Sequence, residues 1–375
     1  MNTRMWIAGM RPKTLPASIA PVLVGAALAW NQAAELRWRC AVGLGADEAA
    51  RTCGDPLQAA GITSGWFWWA FVGCLVVALA LQVAVNFAND YSDGVRGTDA
   101  GRGMSLSSSG VSPSDVSPSV GQRPTPPSSE RGDMSASLSS AGEHGAAPGR
   151  LVASGVPPKQ VLAAAGIAAG VACVVGLVVI FAGGRWGLLA VGVASLLAGW
   201  FYTGGKHPYG YRGWGEVFVF LFFGPIAVAG TQYAILGELG LSARLTPAAV
   251  AAGLNAAVLL LVNNIRDIPS DRESGKRTYA SRVGLGKATV TLYALLALSV
   301  IVSIHAFGSL PMRWGGVAVP SVVVAVPLAF ATVPAWFVHR MDYRRALSAA
   351  GLFTLVSALA WCAALIGHSM WMAAW

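Results

Sequence analysis

Charge is what this chain has least of. Only 11% of its 375 residues are Asp, Glu, Lys or Arg, against about 25% in an ordinary soluble domain. Acids are scarcer still, 17 in all. With 55% hydrophobic residues and a mean hydropathy of +0.57, the composition argues against both a water-soluble enzyme and a disordered chain. Histidine is equally thin. The five, at 144, 207, 305, 339 and 368, are scattered, and no His or Cys set has metal-ligand spacing, which removes zinc-type chemistry. Cys74, Cys173 and Cys362 fall inside apolar runs and read as small buried residues. Cys40 and Cys53 share one polar segment, where a disulfide and two free thiols both stay open.

What the chain does have is Gly (45) and Trp (14), residues that suit close helix packing in a bilayer and the bilayer interface respectively. Apolar runs of roughly 20 residues, the length that crosses a hydrocarbon core, predict nine spans at about 14–30, 66–88, 160–182, 187–203, 216–236, 247–263, 288–307, 317–338 and 346–367. The fold expected is all-α: one polytopic membrane domain over 1–375, a bundle around a central cavity. Pro16 and Pro21 in the first run, with eight further spans after it, disfavour a cleaved signal peptide. Threaded through nine spans, 20 of the 26 Lys and Arg fall on the N-terminal side and 6 on the other. The positive-inside rule makes the first side cytoplasmic and puts the C-terminus outside. The net charge of +9 then reports orientation rather than nucleic-acid binding. Residues 31–65 are expected as an extracytoplasmic loop. Residues 101–149 hold 14 Ser, 8 Gly and 6 Pro and no aromatic ring, so they are expected to be a disordered cytoplasmic insertion.

The few acids gather. One cluster reads Asn86-Phe-Ala-Asn89-Asp90-Tyr91-Ser-Asp93, followed by Arg96 and Asp99. Asn86, Asn89, Asp90 and Asp93 lie at i, i+3, i+4 and i+7, one face of a helix. The other reads Asn263-Asn264-Ile-Arg266-Asp267-Ile-Pro269-Ser-Asp271, then Lys276. Pro269 predicts a kink or helix end near 265–269. Asn86 to Asn263 and Asp90 to Asp267 are both 177 residues apart, and each cluster closes the second helix of a four-helix set. An internal repeat facing one cavity accounts for that. Carboxylates converging at a membrane face repel one another unless cations intervene. Hard oxygen donors select Mg²⁺, which takes one or two carboxylates and completes its shell with phosphate. Arg11, Arg96, Arg266 and Lys276 could neutralise the remaining phosphate charge. The residues thus describe a Mg²⁺-dependent site for a lipid diphosphate, open to the cytoplasm.

At these residues the chain resembles the UbiA-type intramembrane prenyltransferase superfamily, whose marks are an Asn/Asp-rich motif after helix 2 and an Asp-x-x-x-Asp motif after helix 6. Its wording is similar to that of the subgroup prenylating 1,4-dihydroxy-2-naphthoate: Asn86-x-x-Asn89-Asp90-Tyr91-x-Asp93, Gly97-Thr98-Asp99, Arg150-Leu-Val-Ala-Ser-Gly155, Tyr202-Thr-Gly-Gly-Lys206-His-Pro208-Tyr209-Gly210-Tyr211, and Asn263 through Thr278, with Arg11-Pro-Lys-Thr-Leu15 before them. The likeness spans the chain outside 101–149 and much of 31–65. The general superfamily spacing would need Asp where Gly94 stands.

The resemblance implies Mg²⁺ held by Asp90, Asp93, Asp99, Asp267 and Asp271. Asp90, Asp93, Asp267, Asp271 and Lys206 would be catalytic. Arg11, Asn86, Asn89, Arg96, Tyr202, Tyr209, Asn263, Arg266 and Lys276 would bind substrate. It implies transfer of a polyprenyl group from polyprenyl diphosphate to 1,4-dihydroxy-2-naphthoate with loss of CO₂ and diphosphate, giving demethylmenaquinone, in the cell (inner) membrane, with the lipid bilayer and no nucleic acid as partner. Oligomeric state stays open. Hydroxybenzoate, homogentisate or haem as acceptor is a sibling reading, and a secondary transporter is a reading of another class. Tyr211 reads as an interfacial anchor and Glu216 as a helix cap.

Overall fold

The computed structural model describes residues 3–42, 57, 60–97, 150–205, 208–238, 243–308, 313–314 and 317–373. Asp99, Lys206, Cys53 and the 101–149 segment, all singled out above, lie outside them. Among the described residues the chain is helical: α1 (Thr3–Gly9), α2 (Pro16–Val42), α3 (Ser64–Val95), α4 (Pro158–Gly183), α5 (Gly187–Thr203), α6 (Gly215–Leu221), α7 (Ala227–Leu236), α8 (Leu245–Arg266), α9 (Ile268–Glu273), α10 (Tyr279–Gly308), α11 (Val319–His339) and α12 (Tyr343–Ala373). The one extended pairing among them joins β1 (Arg313–Trp314) to β2 (Val317–Ala318), antiparallel. Seven helical stretches are long and apolar enough to cross a membrane, and Gly187–Thr203 and Ala325–His339 are shorter apolar helices.

Several boundaries differ from the sequence reading, those of α2 and α3 among them. The segment expected as a loop from residue 31 stays helical to Val42, because its polar residues find partners. Gln232 Nε2 donates to Gln32 Oε1 at 2.8 Å, and Arg39 pairs with Glu35 one turn away. Cys40, just inside this helix, is disulfide-bonded. Likewise α3 does not end near 88. It runs on through Asn89, Asp90 and Asp93 to Val95, so the first motif is the last two turns of the helix itself. Thr63 starts that helix by accepting the N–H of Trp66, as N-cap threonines do.

The second motif behaves as Pro269 predicts. Helix α8 stops at Arg266, Asp267 has φ −90° and ψ 3°, and α9 restarts at Ile268 with the proline in its first turn. There the missing N–H leaves no orphan. Between α6 and α7, residues Phe222–Ile226 form a single π turn around Pro225. It packs on α8 backbone to backbone: a Cβ on Gly224 would meet Ala249 O at 2.5 Å and Gly253 Cα at 2.7 Å. Small residues allow such contact where helix association relies on dispersion. The core is rich in alanine for the same reason, with Ala20, Ala27, Ala248, Ala251 and Ala252 meeting Val228, Phe307 and Trp361.

Candidate active site

A cavity of about 540 Å³ runs between α2, α3, α4, α5, α6–α7 and α8. Along α3 its wall is Cys74, Val77, Ala78, Leu81, Gln82, Val85, Asn86, Asn89 and Asp93, a stripe at helical spacing covering about 28 Å of axis at 1.5 Å per residue. Most of that wall is apolar, and only its last turns are polar. Opposite the polar end stand Asn263, Asn264, Asp267 and Lys276, with Arg11 and Arg150 beside them. The two Asn/Asp motifs therefore meet across one cavity.

The N-terminal segment is pinned into this site. Asn86 Nδ2 donates to Met10 O at 2.8 Å and to Thr14 Oγ1 at 3.3 Å, while its Oδ1 accepts from Gln82. Thr14 Oγ1 donates to Arg11 O, and Arg11 itself takes a left-handed conformation, φ 53°, uncommon for a side chain this large. The bend delivers its guanidinium to the cavity. Burial and the neighbouring Arg150 depress the Arg11 pKa to about 10, which leaves it cationic at neutral pH. Asn86 is thus a positioning residue for Arg11.

The four motif aspartates among the described residues divide into two pairs. Asp93, 2% exposed, lines the cavity and is wrapped by donors: Arg150 Nη1 at 2.8 Å, Lys276 Nζ at 3.6 Å, and the Tyr211 hydroxyl. Asp267 lines the opposite side and takes a two-point contact from Arg266 at 2.8 and 3.0 Å. Asp90 and Asp271 do not line the cavity. Asp90 is fully buried and accepts the Leu151 N–H at 2.7 Å. Asp271 accepts Thr278 Oγ1 at 3.0 Å, and its carbonyl receives Lys276 N–H at 2.7 Å. Here these two carboxylates fasten the segments that carry Arg150 and Lys276. Among the described residues no three His, Cys, Asp or Glu side chains converge on a point. Like charges move apart and take their own donors.

Magnesium still fits what remains. One or two carboxylates plus substrate oxygens are its ordinary shell, and Asp93 and Asp267 line facing walls with their cationic partners beside them. Asn89 Oδ1 is buried at the cavity without a protein hydrogen-bond partner, as is Arg11 Nη2. Such orphans are costly unless a ligand completes them. An acceptor oxygen beside carboxylates suits a divalent cation, and an idle guanidinium N–H suits a phosphate.

Other expected residues scatter around this centre. Tyr202 and Tyr209 line the cavity as part of an aromatic ladder: Tyr202 meets Tyr209 edge-on at 5.5 Å, Tyr209 stacks on Phe218 at 4.0 Å, and Phe218 faces Phe222 at 6.4 Å. The π turn brings Phe222 and Phe223 onto the same lining. Arg96 is exposed at the rim, donating to Gly205 O, and does not line the cavity; nor does Arg266. Two residues were missed. Arg150 lines the site and holds Asp93, its only signal in the sequence being the Arg150–Gly155 wording. Tyr211 is no interfacial anchor: its hydroxyl binds Asp93, and its ring lies between Arg96 (5.1 Å) and Lys276 (4.6 Å). Burial and the adjacent Asp93 raise the Tyr211 pKa, so it stays a donor at neutral pH. Tyr211→Phe is expected to cost about tenfold in kcat/KM, the scale of one hydrogen bond to a charged group, with folding retained; a change under twofold would remove Tyr211 from the site. Glu216 is no simple cap, since its Oε1 accepts Asn264 Nδ2 at 2.9 Å beside the cavity.

Comparison with known proteins agrees with this geometry. The UbiA prenyltransferase family model matches residues 144–357. A 1,4-dihydroxy-2-naphthoate octaprenyltransferase from Mycobacterium tuberculosis is 34% identical over 86% of this chain and 83% of its own length. Proteins of the same name from Mycobacterium leprae (32%; 96% and 95% covered) and Escherichia coli (30%; 84% and 80%) are also similar. A UbiA homolog from Archaeoglobus fulgidus, solved bound to GPP and Mg²⁺, superposes with a TM-score of 0.52 over 96% of this chain and 99% of that one. At 13% identity, that likeness is one of fold. By family match and by relatives that span most of its length, the chain belongs to the UbiA prenyltransferase family.

Proposed function

We propose that this prenyltransferase moves a polyprenyl group from polyprenyl diphosphate onto 1,4-dihydroxy-2-naphthoate, with Mg²⁺ at the charged end of its cavity. The observation that carries the reading is the shape of that cavity: a long apolar shaft ending in Asp93, Asp267, Asn89, Arg11, Arg150 and Lys276. That is the outline of an apolar chain with a diphosphate head. The naphthoate acceptor rests on the names of the relatives.

Asp93, Asp267 and Asn89 would hold the metal, and when bound it supplies charge neutralisation for the departing diphosphate. The chain's own residues do the rest. Arg11, Arg150 and Lys276 take up the negative charge that grows on the diphosphate as the C1–O bond breaks and its electron pair leaves with oxygen. The allylic cation left behind faces the rings of Tyr202, Tyr209 and Phe218, whose π faces favour a cation. The apolar walls keep water from trapping it. The ring carbon that bears the carboxylate attacks, the new C–C bond forms, and CO₂ departs with its bonding pair returned to the ring. Both hydroxyls are retained, so the balanced product is the quinol of demethylmenaquinone. Reaching demethylmenaquinone takes a separate two-electron oxidation. The charge bias supports a cytoplasmic setting for this end of the cavity, in the cell (inner) membrane.

The test supplies membranes containing the protein with dihydroxynaphthoate, a polyprenyl diphosphate and Mg²⁺. Prenylated naphthoquinol should appear, vanish with EDTA and return with excess Mg²⁺. Absence of product, or product indifferent to EDTA, overturns the reading.

A further inference from the structure

Beside the active site, and separate from its cavity, lies a second pocket of about 440 Å³, lined by Tyr211, Arg212, Trp214, Arg277 and Arg282. Three of its five residues are arginines, and no acid lines it. Its walls come from two segments: the short turn Tyr209–Arg212 with the residues after it, and the approach to α10. They are clasped together by backbone, Arg277 N–H to Tyr211 O at 3.1 Å and Arg282 Nη1 to Arg212 O at 2.9 Å. Gly213, at φ 81°, makes the turn between them possible, and a Cβ there would meet Arg282 Nη1 at 3.2 Å. None of the three guanidinium groups makes an ion pair among the described residues.

Three nearby arginines have partners of their own. Arg150 is on Asp93, Arg266 on Asp267 and Arg96 on Gly205. Three uncompensated guanidiniums around one concavity repel one another and attract an anion with several acceptor oxygens. Trp214 narrows the class. It is 57% exposed and immediately precedes Gly215, where a membrane-spanning stretch begins. A half-exposed indole at a span end belongs at headgroup depth. A basic pocket at that depth, between helix ends, suits the phosphate of an anionic lipid.

We infer that Arg212, Arg277 and Arg282, with Trp214, form a binding site for the phosphate headgroup of an anionic phospholipid, distinct from the substrate cavity. An occupant bridging Arg212 to Arg277 would hold the turn against α10. Because Tyr211 belongs to both this pocket and the Asp93 contact, occupancy would also steady Tyr211 on Asp93. The inference concerns lipid binding and stands whether or not the acceptor is dihydroxynaphthoate.

The test uses the full chain in detergent with a phosphatidylcholine background, titrated with phosphatidylglycerol. Tight lipid binding is read by native mass spectrometry and by the shift in Tm. Arg212→Gln and Arg277→Gln are the variants chosen, since neither side chain makes a hydrogen bond among the described residues, whereas Arg282 does. Wild type should gain a bound phosphatidylglycerol and a higher Tm. Each variant should bind it about fivefold more weakly, the scale of one basic residue at a charged lipid surface. Unfolding in phosphatidylcholine alone should be unchanged. Equal binding by wild type and both variants overturns the site. A separate arm adds free inorganic diphosphate. If it displaces phosphatidylglycerol and raises Tm on its own, the pocket is a soluble-phosphate site and the lipid assignment falls.

Discussion

Asp267→Ala is expected to lower turnover by about a hundred- to a thousandfold, the range seen when one preorganised charge at a reacting centre is removed, while the protein still folds. Asp267 lines the cavity on the wall facing Asp93. Its side chain pairs with its neighbour Arg266, which is itself a third exposed. The structural contribution of residue 267 is made by its backbone, which accepts Asp271 N–H at 2.8 Å and survives the substitution. Asp90→Ala makes the contrast. It strips the Leu151 N–H of its acceptor in a fully buried setting, so it should lose stability as well as rate, by about 1–3 kcal/mol. Product formation per folded protein, with Tm measured alongside, separates the two. Near-wild-type turnover in Asp267→Ala would sink the assignment of this wall to the diphosphate end.

Arg150→Met is expected to destabilise the fold by about 3–5 kcal/mol, the cost of removing one partner from a buried ion pair. The Arg150 and Asp93 side chains are 10% and 2% exposed, so solvent screens little of the interaction. Lys276 at 3.6 Å and the Tyr211 hydroxyl remain on Asp93, which favours the lower end of that range. Asp93→Asn in the Arg150→Met background removes the stranded charge and should recover much of the lost stability without recovering turnover. The double-mutant cycle reads that coupling directly. Additive losses would mean that the two residues do not act as a pair.

How far the sequence alone reached follows from which partners are local. Asn86, Asn89 and Asp93 were legible because a helical period places them on one stripe, and that stripe is the cavity wall. The break at Asp267 was legible from Pro269. Asp90 sits about 60° round the helix from Asp93 and accepts the Leu151 N–H. What decides its role is the 150–151 segment packed against that flank, which no periodicity encodes. Arg150 and Tyr211 reach Asp93 from 57 and 118 residues away, contacts that only tertiary packing creates. The ends of α2 and α3 were set short because polar residues there look like solvent-facing loop. They stay helical because Gln232 satisfies Gln32, and Leu151, Arg150 and Tyr211 supply donors to Asp90 and Asp93.

The distance along the chain between Asp93 and its partners has a bearing on synthesis. Helix α3 leaves the ribosome before Arg150, Tyr211 and Lys276 exist, so a nascent chain carries Asp93 without these three partners. A bare carboxylate in hydrocarbon is expensive. Placing both acids in the final turns of α3, rather than halfway along it, lets them wait in water at the membrane edge until the later segments arrive to enclose them.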